Sequence, residues 1–167
     1  MKSNPVTIRP IQPSDDAEIC RIIKQVGAEF GAIGDGFGPS DAEVLAMSAH
    51  YGQGANDNHN SCYLVATMNG LVVGGCGVAP FQGSLHTCEL KKLFLLPQGR
   101  GRGIGKALTL ACLAFAKEQN FRRCYLDTLK TMTTAIELYQ QLGFTHLDAP
   151  LAASEHRGCD VWMIKTL

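Results

Sequence analysis

Apolar positions fall into short alternating runs separated by helix-spaced stripes. Residues 6–9 alternate as a strand. Pro10, Pro13 and a Ser14 cap then lead into a helix whose Ile19, Ile22, Ile23 and Val26 recur every three or four positions. The glycine-rich stretch 31–39 predicts a mobile loop. Ser40-Asp41-Ala42-Glu43 has the spacing of a capping box that opens a second short helix through about Tyr51. A polar tract, 52–60, precedes two strands over 62–68 and 71–80. The Asn69-Gly70 pair between them favours a type I′ turn, so the two strands should pair antiparallel.

Downstream, a strand over 86–96 stops at Pro97. A helix follows with Ile104, Leu108, Ala111, Cys112 and Phe115 on one face. Residues 122–128 read as another strand, 131–142 as a helix ended by Gly143, and 144–147 and 161–165 as closing strands. The succession predicts one α/β domain over 1–167 with a mixed sheet, without repeat or linker.

Composition narrows the chemistry. The 167 residues are 46% hydrophobic and 18% charged, with 15 basic and 15 acidic side chains. Such a chain is an ordinary globular protein able to bury about two-thirds of its unfolded surface. No basic excess points to nucleic acid, so any anion site must be local. The first five residues precede no apolar core, and no window approaches 18 apolar residues. Neither a secretory leader nor a membrane span is expected, and the cytoplasm is the expected compartment. Seven cysteines, without any CxxC pair and mostly inside apolar runs, read as buried thiols in a reducing environment rather than as metal ligands.

The segment from Leu95 to Lys106 joins a strand to a helix through four glycines: Gly99, Gly101, Gly103 and Gly105. The unpaired amides of a helix's first turn, with Cβ atoms removed around them, form an anion site. Arg100, Arg102 and Lys106 add cations. A Walker A loop fails here, because Arg100 stands where a glycine is required and Ala107 replaces the Ser or Thr. A GxGxxG fingerprint fails too, since its third glycine would fall on Ile104, Lys106 or Leu108. Arg-x-x-Gly-x-Gly, at Arg100, Gly103 and Gly105, does fit.

That hexapeptide resembles the acyl-CoA pyrophosphate loop of the GNAT acetyltransferase superfamily. Ala135-Ile-Glu-Leu138-Tyr139-Gln-Gln-Leu-Gly143-Phe144 is similar to the same superfamily's A-x-x-L-Y-x-x-x-G-F signature. The strand from Glu89 to Pro97 and the order of elements extend the likeness over about residues 60–165. The resemblance implies the GNAT fold: a mixed, mostly antiparallel, splayed sheet of six to seven strands flanked by about four helices. It implies acetyl-CoA as cosubstrate and no metal.

It also implies roles. A backbone N–H near Phe94 or Leu95 would polarise the thioester carbonyl. The coenzyme would be held by Phe94, Leu95, Leu96, Arg100, Gly101, Arg102, Gly103, Ile104, Gly105, Lys106 and Thr131. Tyr139 would protonate the departing thiolate, since a phenol of pKa about 10 suits a thiol of about 8.5; by spacing alone it is a core residue of its helix stripe. Glu89 occupies the position of a glutamate base, on a strand face that strict alternation would share with Lys91, Leu93 and Leu95. His86 with a water chain is its rival, and an ordinary ion-paired strand residue is the plain reading. One departure stands out: Met132 occupies the place where many relatives carry an Asn that contacts pantetheine, leaving backbone groups, Thr131 or Thr133 to hold that arm.

The acceptor pocket is expected between residues 27–39 and 148–158. Asp35 and Phe37 are candidates to grip an ammonium and an apolar tail, and Glu155-His156-Arg157 to read a carboxylate. The charge balance favours a small-molecule amine, such as an amino acid or polyamine, acetylated by direct attack in a ternary complex. Protein or peptide acetylation and a non-catalytic acyl-CoA-binding module are the alternatives. A homodimer is the candidate assembly.

Overall fold

The computed structural model describes residues 5–51, 60–152, 154 and 156–167. The expected placements of residues 1–4, most of the polar tract 52–60, and Glu155 lie outside the described residues.

Seven strands form one sheet in the order β1-β2-β3-β4-β5-β7-β6. They are β1 (Val6–Pro10), β2 (Cys62–Met68), β3 (Leu71–Pro80), β4 (Thr87–Leu95), β5 (Arg123–Thr128), β6 (Thr145–Leu147) and β7 (Val161–Thr166). Only β4 and β5 run parallel, so the sheet is mixed and mostly antiparallel as expected. Asn69 and Gly70 both take positive φ, as a type I′ turn requires, and they join β2 to β3 in antiparallel register.

Among the described residues four helices flank the sheet: α1 (Asp16–Glu29), α2 (Met47–His50), α3 (Ile104–Glu118) and α4 (Thr133–Gln141). Ile19, Ile22, Ile23 and Val26 of α1 are buried with Val44, Met47, Tyr63, Phe94 and Leu96 in one core. On the opposite face Ile104, Leu108 and Cys112 of α3 pack with Cys88, Leu90, Leu126 and Met163 in a second core. Burying these stripes on a sheet that is apolar on both faces is what holds the layers together, at about 25 cal/mol per Å² of apolar surface. The seven cysteines are all unpaired; Cys76, Cys88, Cys112 and Cys124 are buried and the other three half-buried. Among the described residues no helix is long and apolar enough to cross a membrane.

Two helix starts differ from the sequence reading. Ser14 does not cap α1; instead a 3-10 turn, Pro13–Asp15, precedes it, and the Asp15 carboxylate accepts from the Gln12 amide at 2.8 Å and from Arg9 at 2.7 Å. The capping box at Ser40–Glu43 does not form. The Ser40 hydroxyl donates to the carbonyls of Gly34 and Phe37, while residues 42–46 are 3-10 turn and only four residues of α2 follow. Asp41 and Glu43 are drawn away to the buried Lys92 instead.

Candidate active site

The site is made by an irregularity in β4. Where β3 advances from Gly75 to Gly77, its partner retreats three residues, from Phe94 to Lys91. Lys92, at φ +55°, carries the extra residue of this bulge. The close approach needs glycine opposite: a Cβ on Gly74 would lie 2.2 Å from the Phe94 carbonyl, and one on Gly75 2.5 Å from the Tyr63 ring. Tyr63 then donates its hydroxyl to the Lys92 carbonyl at 2.9 Å, pinning the bulge.

The bulge overturns the strict alternation expected for β4. Leu93 and Leu95 pack into the α3-side core while Phe94 and Leu96 join the α1-side core. Glu89, Lys91 and Lys92 are left on the α1 side, with Lys91 and Lys92 both reaching Glu43. Past Glu89 β4 and β5 diverge: their parallel ladder stops at Glu89–Tyr125 although both strands continue. The edge of β4 facing β5 is therefore without a strand partner along residues 91–95.

Two depressions meet in that gap. The first, about 590 Å³, lies between α3 and α4 and is lined by Leu93, Phe94, Leu95, residues 99–101 and 103–106, Met132, Thr133 and Leu138 among others. Gly101 and Gly103 adopt φ of +71° and +75°, and the first helical bond runs from the Ala107 amide to the Gly103 carbonyl at 3.0 Å. The amides just before Ala107 have no helical acceptor and face the N-terminal end of the α3 dipole.

Not every expected coenzyme residue lines this groove. Arg100 does, but its guanidinium is clasped by both Glu29 carboxylate oxygens at 2.7 and 2.8 Å, bonds the Leu95 carbonyl at 3.1 Å and lies over the Phe30 ring. Leu96 is buried in the core, with its amide given to Val73. Arg102 reaches back to the Gln98 carbonyl, and the Thr131 hydroxyl goes to the Phe30 carbonyl; neither lines the groove. Met132 lines it in the place of the missing amide, with its sulfur accepting from Thr128 at 3.3 Å.

The second depression is a cavity of about 70 Å³ lined by Glu89, Lys91, Asp127, Tyr139, His156 and Phe37 among others. It shares Leu93, Phe94 and Met132 with the groove. Its roof forms where two loops cross. Gly158 donates to the Gly36 carbonyl at 2.9 Å, and the Phe37 ring lies so close that a Cβ on Gly158 would fall 2.5 Å from it. His156 spans the gap below, with Nδ1 2.9 Å from Asp127 Oδ1 and Nε2 2.8 Å from Asp41 Oδ2. Ser154 holds the other Asp127 oxygen at 2.8 Å.

These contacts set the charges. Hydrogen bonds to Asp127 and Asp41 raise the His156 pKa to about 10, so the ring is an imidazolium that donates from both nitrogens. Burial alone would raise Asp41, but the His156 bond and the Lys92 charge outweigh it and bring the carboxyl to about 2. Burial also opposes ionisation of Glu43, and Lys92 and Lys91 reverse that. Glu89 has no such clasp; among the described residues its nearest opposite charge is His156 at 3.8 Å. Burial, with Asp127 adding to it and Lys91 opposing, lifts its pKa to about 7. Three cations (Lys91, Lys92, His156) face four carboxyls (Asp41, Glu43, Asp127, Glu89), and Glu89 is the acid left over. Tyr139, buried against Phe144, has its phenol pKa pushed well up by burial, so it stays protonated but is a weaker acid than the unperturbed phenol expected from sequence.

Of the other residues considered from sequence, His86 is exposed at the entry to β4, outside the cavity wall, because it sits before the strand turns inward at Thr87. Asp35 and Arg157 are exposed and do not line the cavity; Phe37 and His156 do. Sequence reasoning missed Asp41, Glu43, Asp127 and the lysine pair. Asp41 and Glu43 carried a signal, but helix capping explained it. Glu89, Asp127 and His156 also gather three potential ligand atoms within 4.8 Å of one another, with both His156 nitrogens engaged by Asp127 and Asp41.

The likenesses of the chain agree with this geometry. The model of the acetyltransferase (GNAT) family matches residues 35–144. An uncharacterized N-acetyltransferase of Escherichia coli K12, YjgM, is 38% identical over 162 residues, covering 96% of this chain and 94% of that protein. An acetyltransferase of the GNAT family from Staphylococcus aureus Mu50 superposes with a TM-score of 0.82 at 21% identity, over 97% of this chain and 99% of that one. The putative acetyltransferase YncA of Salmonella typhimurium, solved with its cofactor acetyl-CoA, superposes with a TM-score of 0.76 at 22% identity, over 98% and 94%. The chain thus belongs to the acetyltransferase (GNAT) family and is an N-acetyltransferase.

Proposed function

We propose that the chain transfers the acetyl group of acetyl-CoA to the primary amine of a small molecule, by direct attack in a ternary complex without a metal. One observation carries this reading: the groove at the α3 N-terminus runs into a roofed cavity through the shared Leu93, Phe94 and Met132, with Glu89 on the far wall. A pyrophosphate at the amides of residues 101–106 would direct the pantetheine arm along α4 to the β4–β5 gap. The thioester carbonyl would meet the unpartnered β4 edge near Phe94 and Leu95, where an N–H stabilises the oxygen as it turns negative.

The amine enters as an ammonium. Glu89, ionised above pH about 7, takes its proton. The neutral nitrogen attacks the thioester carbon, and the tetrahedral intermediate collapses with cleavage of the C–S bond as the nitrogen releases its remaining surplus proton to solvent, which in turn restores the proton that Tyr139 donates. Tyr139, protonated through its burial, hands its proton to the leaving thiolate. Arg100 supports the loop through Glu29 as well as the phosphate. The crossing of the 36–37 and 156–158 segments leaves little room for an extended peptide, which is why a small acceptor is preferred to a protein.

Calorimetric titration with acetyl-CoA, followed by thiol release over a panel of amines and peptides, tests the proposal. Selective acetyl-CoA binding with turnover of free amines is expected. Turnover that rises with peptide length would replace the small-molecule reading with protein acetylation, and absence of coenzyme binding would withdraw both.

A further inference from the structure

Lys91, Lys92 and His156 are the cations at the cavity wall, and each is already held by carboxylates of the chain. Lys92, 2% exposed, is bonded to Asp41 at 2.9 Å and to Glu43; Lys91 lies 3.2 Å from Glu43; His156 is fixed between Asp127 and Asp41. Arg157 does not line the cavity. The carboxyl still open to an arriving group is Glu89. The wall itself carries these three cations with Glu89 and Asp127; Asp41 and Glu43, outside the lining, complete the cluster and leave it neutral when Glu89 holds a proton and one charge negative when it does not, so a ligand carboxylate meets no uncompensated positive charge. Phe37, Pro39, Leu93, Phe94 and Met132 make much of the remaining wall apolar, with Thr128, Tyr139 and Cys159 as its uncharged polar members.

Resting on the function proposed above, we infer that the acceptor is a cationic amine with an uncharged, largely apolar tail, and that this cavity discriminates against amino acids and other amines bearing a carboxylate. An ammonium entering beside Glu89 completes four cations against four carboxylates. A carboxylate carried in with it would be desolvated beside Asp127 and Glu89, while the wall's cations are already taken by Asp41, Glu43 and Asp127; an unpaired buried charge is among the costliest arrangements in a protein interior. Discrimination here comes from what the wrong ligand lacks.

Matched pairs isolate the carboxylate from size. The rate with 4-aminobutyrate is compared with that of 4-aminobutanamide, and that of alanine with alaninamide, at saturating acetyl-CoA. The amide of each pair is expected to be favoured in kcat/KM by about tenfold or more. A carboxylate compound used as well as its amide overturns the inference. Glu43→Gln, which releases Lys91 and Lys92 from one carboxylate, should narrow the preference; Lys91→Gln, which removes a cation, should widen it. Movement in the opposite directions overturns it as well. Failure of all four compounds to be acetylated counts against the small-amine function itself, and the charge preference is then read without turnover. Titration of the enzyme–coenzyme A complex with the same compounds should show tighter binding of the amides. Tighter binding of the carboxylates, or none by either amide, overturns the inference.

Discussion

His156 Nδ1 lies 3.8 Å from Glu89 Oε1 while bonded to Asp127 at 2.9 Å, so the imidazolium is close enough to bias the glutamate without capturing it. Glu89, raised chiefly by burial, has a pKa near neutrality, about 7, whereas Asp41, bonded directly to the same ring, sits near 2. A carboxyl in that range suits proton abstraction at physiological pH, because ionised and protonated forms are both accessible.

Glu89→Gln should lower turnover by about 100- to 10,000-fold, the range for loss of a general base. In the wild type the rate should rise with pH to a plateau through a midpoint near 7, as Glu89 ionises. That acidic limb should vanish in the variant, and a pH–rate profile with an unchanged limb would leave the base unassigned.

His156→Gln should move the same limb upward, since the imidazolium is one of the charges, after Lys91, that oppose the effect of burial on Glu89. Stability should respond as well. On folding the ring's pKa rises from 6.5 to about 10, so the folded state keeps a proton that the unfolded chain releases. This contribution is complete below pH 6.5 and is lost as pH rises through 10. The melting temperature of the wild type should fall over that window, and that of the variant should start lower and fall less.

Tyr139→Phe removes a single hydroxyl from a buried ring that keeps its contact with Phe144. Turnover should fall by about 100-fold or more with acetyl-CoA affinity little changed. Equal rates for the two proteins would return Tyr139 to a packing role.

Gly103→Glu should abolish acetyl-CoA binding while the fold persists. At φ +75° the new side chain incurs about 1–2 kcal/mol of backbone strain, and its carboxylate would oppose the phosphates at the α3 N-terminus. No described atom lies within 4 Å of the new Cβ, so the effect should be confined to the groove. Calorimetry with acetyl-CoA, alongside circular dichroism, separates the two effects; retained affinity would remove this turn from the coenzyme site.

Much of this architecture was written locally. The Asn69-Gly70 turn, the α1 stripe and the glycine steps from Gly99 to Gly105 each depend on residues close in sequence, and the structure forms all three. The glycine turn and the Tyr139 signature also sufficed to indicate the family, because each motif is contiguous. Side-chain facing along β4 was not legible. It turned on one extra residue at Lys92, which forms only because Gly74 and Gly75 of another strand let the backbone approach.

The same distinction holds for the site. The sequence by itself determined the glycine-lined groove, and its resemblance to the GNAT superfamily nominated Glu89 and Tyr139, whereas spacing alone read Tyr139 as a core residue. Only the tertiary structure decided the charge of the cavity. Asp41 lies 51 residues from Lys92 and 115 from His156, and Asp127 lies 29 from His156. A pKa is set by burial and by charges a few ångströms away in space, and those neighbours were brought together by chain crossings that no local pattern encodes.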